Sequence, residues 1–114
     1  MALHESGEDY LETIYRLAEG GEVVHAVDIA KRQGVSKPSV TRAVRILQEA
    51  GLVTIGPDGP HIRLTPTGSL RARDIVERHS VLTQFLLQLG VSADIADKDA
   101  CRMEHDLSPE TFAA

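Results

Sequence analysis

The sequence predicts a mainly α-helical protein, interrupted once near its middle by a short two-stranded hairpin. Three observations lead there. Apolar residues recur at three- and four-residue spacing through most of the chain, the period of an amphipathic helix. Serine, threonine and glycine fall where such segments would begin and end. Short strand-like segments flank the turn-forming run GPDGP, and this occurs once.

Taken in order, residues 8–19 form the first helix. Tyr10, Leu11, Ile14, Tyr15, Leu17 and Ala18 recur at helical spacing, and Gly20-Gly21 ends the run. Residues 28–33, DIAKRQ, form a short helix stopped by Gly34. In VSKPSV, Ser36 is a natural N-cap, and Pro38 fits a first turn, where its missing N–H costs nothing. That helix runs to about residue 50, with Val40, Val44, Ile46 and Leu47 on its apolar side and Gly51 as the stop. Residues 52–55 are a strand, 56–60 a turn and 61–64 the returning strand. In TPTG, Thr67 caps a long helix that reaches residue 89, with Gly90 after it. Ser92 or Ala93 opens another helix through about residue 106, and SPE begins one more.

A short helix, a glycine turn, a second helix with a capped basic start and then a hairpin is the order of a winged helix-turn-helix. A plain three-helix scaffold with a hairpin shares that order. The expected architecture is a winged helix-turn-helix DNA-binding domain over residues 1–68 and a helical metal-binding and dimerisation region over residues 69–114.

With 114 residues, 42% of them hydrophobic, the chain has the content of one compact domain or two very small ones. It lacks Trp and has only four aromatic rings, so its core must be aliphatic. No apolar run approaches the ~20 residues of a membrane span, and the N-terminus MALHESGEDY does not read as a signal peptide. A single cysteine fits a reducing cytoplasm. The net charge of −5 hides a sign change: residues 1–24 carry −5, residues 25–68 carry +3 and residues 69–114 carry −3. The basic middle can face phosphates, and the acidic flanks can hold cations.

A recognition helix offers its N-terminal residues to base edges in the major groove of double-stranded DNA. Here those are Ser36, Lys37, Pro38, Ser39, Thr41 and Arg42. Arg42 can grip a guanine, and the Pro38 ring and Thr41 methyl can meet a thymine methyl. Arg45 lies three residues on and faces backbone, and His61 on the wing can reach a phosphate or the minor groove. One such helix reads few base pairs, so a homodimer on two half-sites is expected. Leu70, Ile75, Val76, Val81, Leu82, Phe85, Leu86 and Leu89 supply more apolar surface than a three-helix core needs.

The stretch CRMEHD sets Cys101, Glu104 and His105 at positions i, i+3 and i+4, neighbours on a helix. Alone it is a weak signal, since a lone cysteine is usually inert packing. The H-x-x-E-H metalloprotease pattern would need a histidine at Cys101. Carboxylates at Glu8, Asp9 and Glu12, and His79 in the long helix, make a metal site assembled from several helices a reasonable reading. An enzyme is not expected: there is no nucleophile in a recognisable setting and no Gly-rich phosphate loop.

EDYLETIYRL, DIAKRQGVSKPSVTRAVRILQEAGLV, LTPTG, RHSVLTQFLLQLGV and DACRMEHDLS together resemble the diphtheria toxin repressor and manganese transport regulator family, over residues 8–108. The resemblance implies a metal-activated winged-helix repressor, a homodimer that binds its operator when Mn²⁺ or Fe²⁺ is bound and controls metal-uptake genes. It implies metal ligands at Asp9, Glu12, His79, Cys101, Glu104 and His105. Manganese-type members have an acidic residue at the Cys101 position; iron-type members have Cys there but Met at Asp9. The Glu of the iron-type ancillary site is replaced by Thr83. Asp9, Glu12 and Glu104 favour hard Mn²⁺, whereas a Cys101 thiolate pulls toward Fe²⁺; the residue can also coordinate through its backbone carbonyl. Mn²⁺ is the expected ion and Fe²⁺ the alternative. The family also implies a further helix beyond Ala114. A winged-helix regulator without metal control is the competing expectation.

Overall fold

The computed structural model describes residues 5–21, 23–56 and 61–114. The elements are α1 (Glu5–Glu19), α2 (Ala26–Gln33), α3 (Lys37–Glu49), β1 (Val53–Ile55), β2 (Ile62–Leu64), α4 (Pro66–Gln88), α5 (Ala93–Met103) and α6 (Pro109–Ala113). The chain divides into two compact units, Met1–Arg73 and Asp74–Ala114.

In the first unit, α1 starts at Glu5, earlier than its apolar pattern suggests, and buries Tyr10, Leu11 and Ile14. The Asp28 carboxylate accepts from the His25 backbone N–H at 2.9 Å and closes the start of α2. Gly34 ends α2 in the left-handed region at φ 67°, a conformation glycine adopts without strain. Gln33 Nε2 donates to Thr13 Oγ1 at 2.9 Å and ties α2 to α1. The Ser36 hydroxyl accepts from the Ser39 N–H, with Pro38 in the first turn, so α3 starts where its cap residues dictate. Its buried stripe is Val40, Val44 and Leu47. Ile46 is exposed, contrary to expectation. Residues 40, 44 and 47 follow the i, i+4, i+7 stripe, and position 46 turns away from it.

The wing pairs β1 with β2 antiparallel, Val53 opposite Leu64, Thr54 opposite Arg63 and Ile55 opposite Ile62. Val53 and Ile62 are buried while Thr54 and Arg63 are exposed, the alternation of a half-buried hairpin. The Ile62 N–H donates to the Val24 carbonyl at 2.9 Å, pinning the wing to the segment before α2. Residues 57–60 of the expected turn lie outside the described residues.

The cap of α4 is Thr65, not Thr67. Its hydroxyl accepts from the Gly68 N–H at 3.0 Å and donates to the Gly51 carbonyl at 2.7 Å, with Pro66 as the first helical residue. The helix start lies so close to Leu52 that a Cβ on Gly68 would stand 1.9 Å from the Leu52 oxygen.

In the second unit, Ile75, Leu82, Ala96 and Ala100 are buried. Arg78 fixes the turn after α5. Its Nη1 donates to the carbonyls of Glu104 at 3.2 Å and Leu107 at 2.7 Å, and the guanidinium lies 5.1 Å from the centre of the Phe112 ring. With these carbonyls drawn to Arg78, α5 stops at Met103 rather than continuing to about residue 106. Ser108 caps α6 by accepting from the Thr111 N–H. Val81, Phe85, Leu87, Leu89 and Ile95 stay exposed, Phe85 at 52% and Leu89 at 65%. Among the described residues, no helix is long and apolar enough to cross a membrane.

Candidate metal centre and nucleic-acid interface

The second unit gathers three of the expected metal ligands around one carboxylate. Glu104 is buried, with 2% of its surface exposed. Its Oε2 lies 2.9 Å from His79 Nδ1, and its Oε1 lies 3.4 Å from Nε2 of the buried His105 ring. Arg78 precedes His79 on α4 and grips the Glu104 carbonyl, so the same contact that shapes the turn holds Glu104 against His79. A carboxylate removed from water is costly unless paired; the His79 imidazole, at hydrogen-bond distance, contributes to that pairing, and the His105 ring stands farther off. The expectation that Cys101, Glu104 and His105 share a regular helix holds only in part. Cys101 sits half-buried in the last turn of α5, Glu104 is the C-cap and His105 lies in the following turn.

In the first unit, Asp9 and Glu12 are half-buried on α1, spaced so that both fall on one side of the helix. Glu12 Oε2 accepts from Arg16 Nε at 2.9 Å. Glu8, one residue before Asp9, lies 3.8 Å from Arg71. Thr83 offers no ligand: its hydroxyl donates to the His79 carbonyl at 2.7 Å within α4.

The donor chemistry fits a divalent transition ion. Imidazole nitrogens beside carboxylate oxygens are donors that first-row divalent ions accept. Two residues of this cluster carry no motif in the sequence. Asp97 lies one turn before Cys101 and reaches His79 Nε2 at 2.8 Å. Arg78 reads in the sequence only as one more base on a long helix. Position i+4 spacing to Cys101 was the available hint for Asp97; for Arg78 there was none.

On the first unit, Lys37, Pro38, Thr41, Arg42 and Arg45 border one shallow depression along the exposed side of α3. Ser36 is exposed but its hydroxyl serves the cap, 2.8 Å from that of Ser39. The Thr41 hydroxyl donates to the Lys37 carbonyl at 3.1 Å, which leaves it free only to accept from an outside donor. His61 is half-buried, its ring edge-on to His25 with centroids 5.0 Å apart. Its Nδ1 is enclosed without a hydrogen-bond partner among the described residues.

Comparison with known proteins agrees with this division of labour. Residues 2–59 match the iron dependent repressor N-terminal DNA binding domain, and residues 65–114 match the iron dependent repressor metal binding and dimerisation domain. The chain is 43% identical over 108 residues to the transcriptional regulator MntR of Salmonella typhimurium, covering 94% of this chain and 68% of that protein. It is 33% identical over 109 residues to the diphtheria toxin repressor of Corynebacterium diphtheriae, covering 95% of this chain and 48% of the relative. Among solved structures, the manganese regulator SloR superposes with a TM-score of 0.83 at 30% identity, over 99% of this chain and 52% of that one. A manganese-dependent transcriptional repressor in complex with manganese superposes with a TM-score of 0.84 at 32% identity, over 94% and 49%. The chain thus spans about half the length of these last three relatives. Both its DNA-binding and its metal-binding halves are matched in order, and the chain belongs to the iron dependent repressor family of metal-responsive transcriptional repressors.

Proposed function

We propose that this chain acts in the cytoplasm as a repressor that binds double-stranded operator DNA as a homodimer when Mn²⁺ is bound, and so controls metal-uptake genes. The observation that carries the reading is the buried Glu104 carboxylate with the imidazoles of His79 and His105 at its two oxygens. The ligand set is Asp9, Glu12, His79, Cys101, Glu104 and His105. Three of the six are carboxylates, which favours Mn²⁺; Fe²⁺ is the alternative, supported by the Cys101 thiol. The relatives named for manganese point the same way.

A bound cation supplies the positive charge that lets several carboxylates converge. Without it, Asp9, Glu12 and Glu104 are like charges that repel one another. With it, the arrangement in which the two recognition helices of a dimer stand about one DNA turn, ~34–36 Å, apart is favoured. The switch is a population shift: the DNA-ready state is the one the ligands satisfy. On the DNA, Arg42 reads a base edge through its fork of donors, while Lys37 and Arg45 hold phosphates. The exposed apolar side chains of Val81, Phe85 and Leu89 form the self-association surface.

The test is fluorescence anisotropy of a labelled DNA fragment taken from upstream of the host's metal-uptake genes. Metal-stripped protein is titrated anaerobically with Mn²⁺ and separately with Fe²⁺. Tight, chelator-reversible binding with one ion supports the reading and names the ion. Equal binding with no metal at all leaves a winged-helix regulator without metal control.

A further inference from the structure

Three aspartates lie on α5, and two of them pair with basic residues of the same helix: Asp94 with Lys98, and Asp99 with Arg102. Asp97 reaches α4 instead. Its Oδ1 stands 2.8 Å from His79 Nε2, while His79 Nδ1 stands 2.9 Å from the buried Glu104 Oε2. The ring is held at both ends, and its own side chain is only 15% exposed.

A histidine gives a cation the lone pair of the nitrogen that carries no proton, and the partner of the other nitrogen decides which one that is. An ionised carboxylate only accepts hydrogen bonds. Both ring nitrogens face carboxylates; a cation taken on the buried Glu104 side uses the Nδ1 lone pair, and the ring's one proton then sits on Nε2, where Asp97 accepts it. We propose that Asp97 is a positioning residue of the metal centre: through its hydrogen bond to Nε2 it selects Nδ1 of His79 as the metal-binding atom and fixes the ring toward Glu104. The inference rests on His79 being a ligand, as the function proposed above has it. The Asp97 side chain is 68% exposed, so its loss belongs at the low end of the 10–100-fold range typical of residues that orient a ligand, about tenfold in affinity.

The experiment compares the full chain with Asp97→Ala, Asp97→Glu and His79→Ala, each first shown to keep the native circular dichroism. Calorimetric titration with Mn²⁺ alone gives affinity and the number of ions bound. Binding of ¹¹³Cd²⁺ to protein with ¹⁵N-labelled histidine gives the coupling that identifies the bound nitrogen. The expected result is ¹¹³Cd coupling to Nδ1 of His79 in the unaltered chain. In Asp97→Ala the coupling moves, wholly or in part, to Nε2, and Mn²⁺ affinity falls about tenfold at unchanged stoichiometry. Asp97→Glu recovers both. Nδ1 coupling and full affinity retained in Asp97→Ala, while His79→Ala loses affinity, overturns the positioning role alone. Loss of a whole ion in Asp97→Ala overturns it too, by making Asp97 a ligand. If His79→Ala binds Mn²⁺ as tightly as the unaltered chain, the ligand set itself fails, and this inference falls with it.

Discussion

The deeply buried carboxylate of Glu104 has one oxygen at hydrogen-bond distance from His79 Nδ1 and the other 3.4 Å from His105 Nε2. That arrangement makes Glu104 the most sensitive single position of the centre. Glu104→Gln keeps size and shape but removes the charge and one acceptor. Mn²⁺ affinity measured by calorimetry should fall by at least the ~100-fold at the upper end for orienting residues, since a ligand matters more than its support. Retention of affinity within a few-fold would remove Glu104 from the ligand set. Arg78 tests a different property at the same scale. Its side chain is 13% exposed and donates to two carbonyls. Arg78→Met keeps much of the apolar stem and deletes the donors. Stability measured in urea should drop by about 1.5–3 kcal/mol, the usual cost of losing a hydrogen bond from a charged group. The drop should appear in metal-stripped protein, because the bonds are backbone supports and not metal contacts.

At the scale of elements, α3 combines an intact cap with an exposed side that carries Arg42, and the two can be separated by substitution. Ser36→Ala removes the hydroxyl that accepts from the Ser39 N–H and should cost about 1 kcal/mol of stability. Arg42→Ala leaves the helix alone and should weaken binding to the operator by about 1–3 kcal/mol with little change on unrelated DNA. Equal losses on both sequences would assign Arg42 to phosphate instead. The start of α3 was legible in the sequence because its signals are local: Gly34, Ser36 and Pro38 act within a few residues. The start of α4 was not, because TPTG offers two threonines as caps. The choice of Thr65 depends on the Gly51 and Leu52 carbonyls, which only the folded chain brings near. The same limit governs the centre. CRMEHD announces Cys101, Glu104 and His105 by spacing, but Asp97 and His79 are 18 positions apart, and the spacing of Asp97 to Cys101 hints at the cluster without pointing to His79. Ile46 failed as a core residue for a simpler reason: apolar character alone does not place a residue on the buried stripe. Gly68 carries a constraint that composition also hides. Gly68→Ala puts a methyl group into the Leu52 backbone and should destabilise by about 1–3 kcal/mol in thermal or urea unfolding.

For the whole molecule, the net charge of −5 argues against a general affinity for DNA; in the proposed function, binding is local, dimeric and conditional. Dimerisation supplies the second half-site, and the exposed Phe85 and Leu89 are the side chains to alter. Phe85→Asp should shift sedimentation toward the monomer and lower operator affinity without changing how the monomer binds Mn²⁺. The condition is the metal, and thermodynamics makes it reciprocal. If Mn²⁺ raises operator affinity by some factor, operator must raise Mn²⁺ affinity by that same factor, because both compare the same four states. Allosteric couplings are commonly about 1–3 kcal/mol, or roughly 5–150-fold. Calorimetric Mn²⁺ titration of the dimer, alone and with saturating operator duplex, reads this directly. A leftward shift matching the anisotropy data would establish the ion as the signal that selects the DNA-ready state. Identical Mn²⁺ isotherms with and without operator would show that the ion and the DNA bind independently, and the centre around Glu104 would then stabilise the second unit without controlling the first.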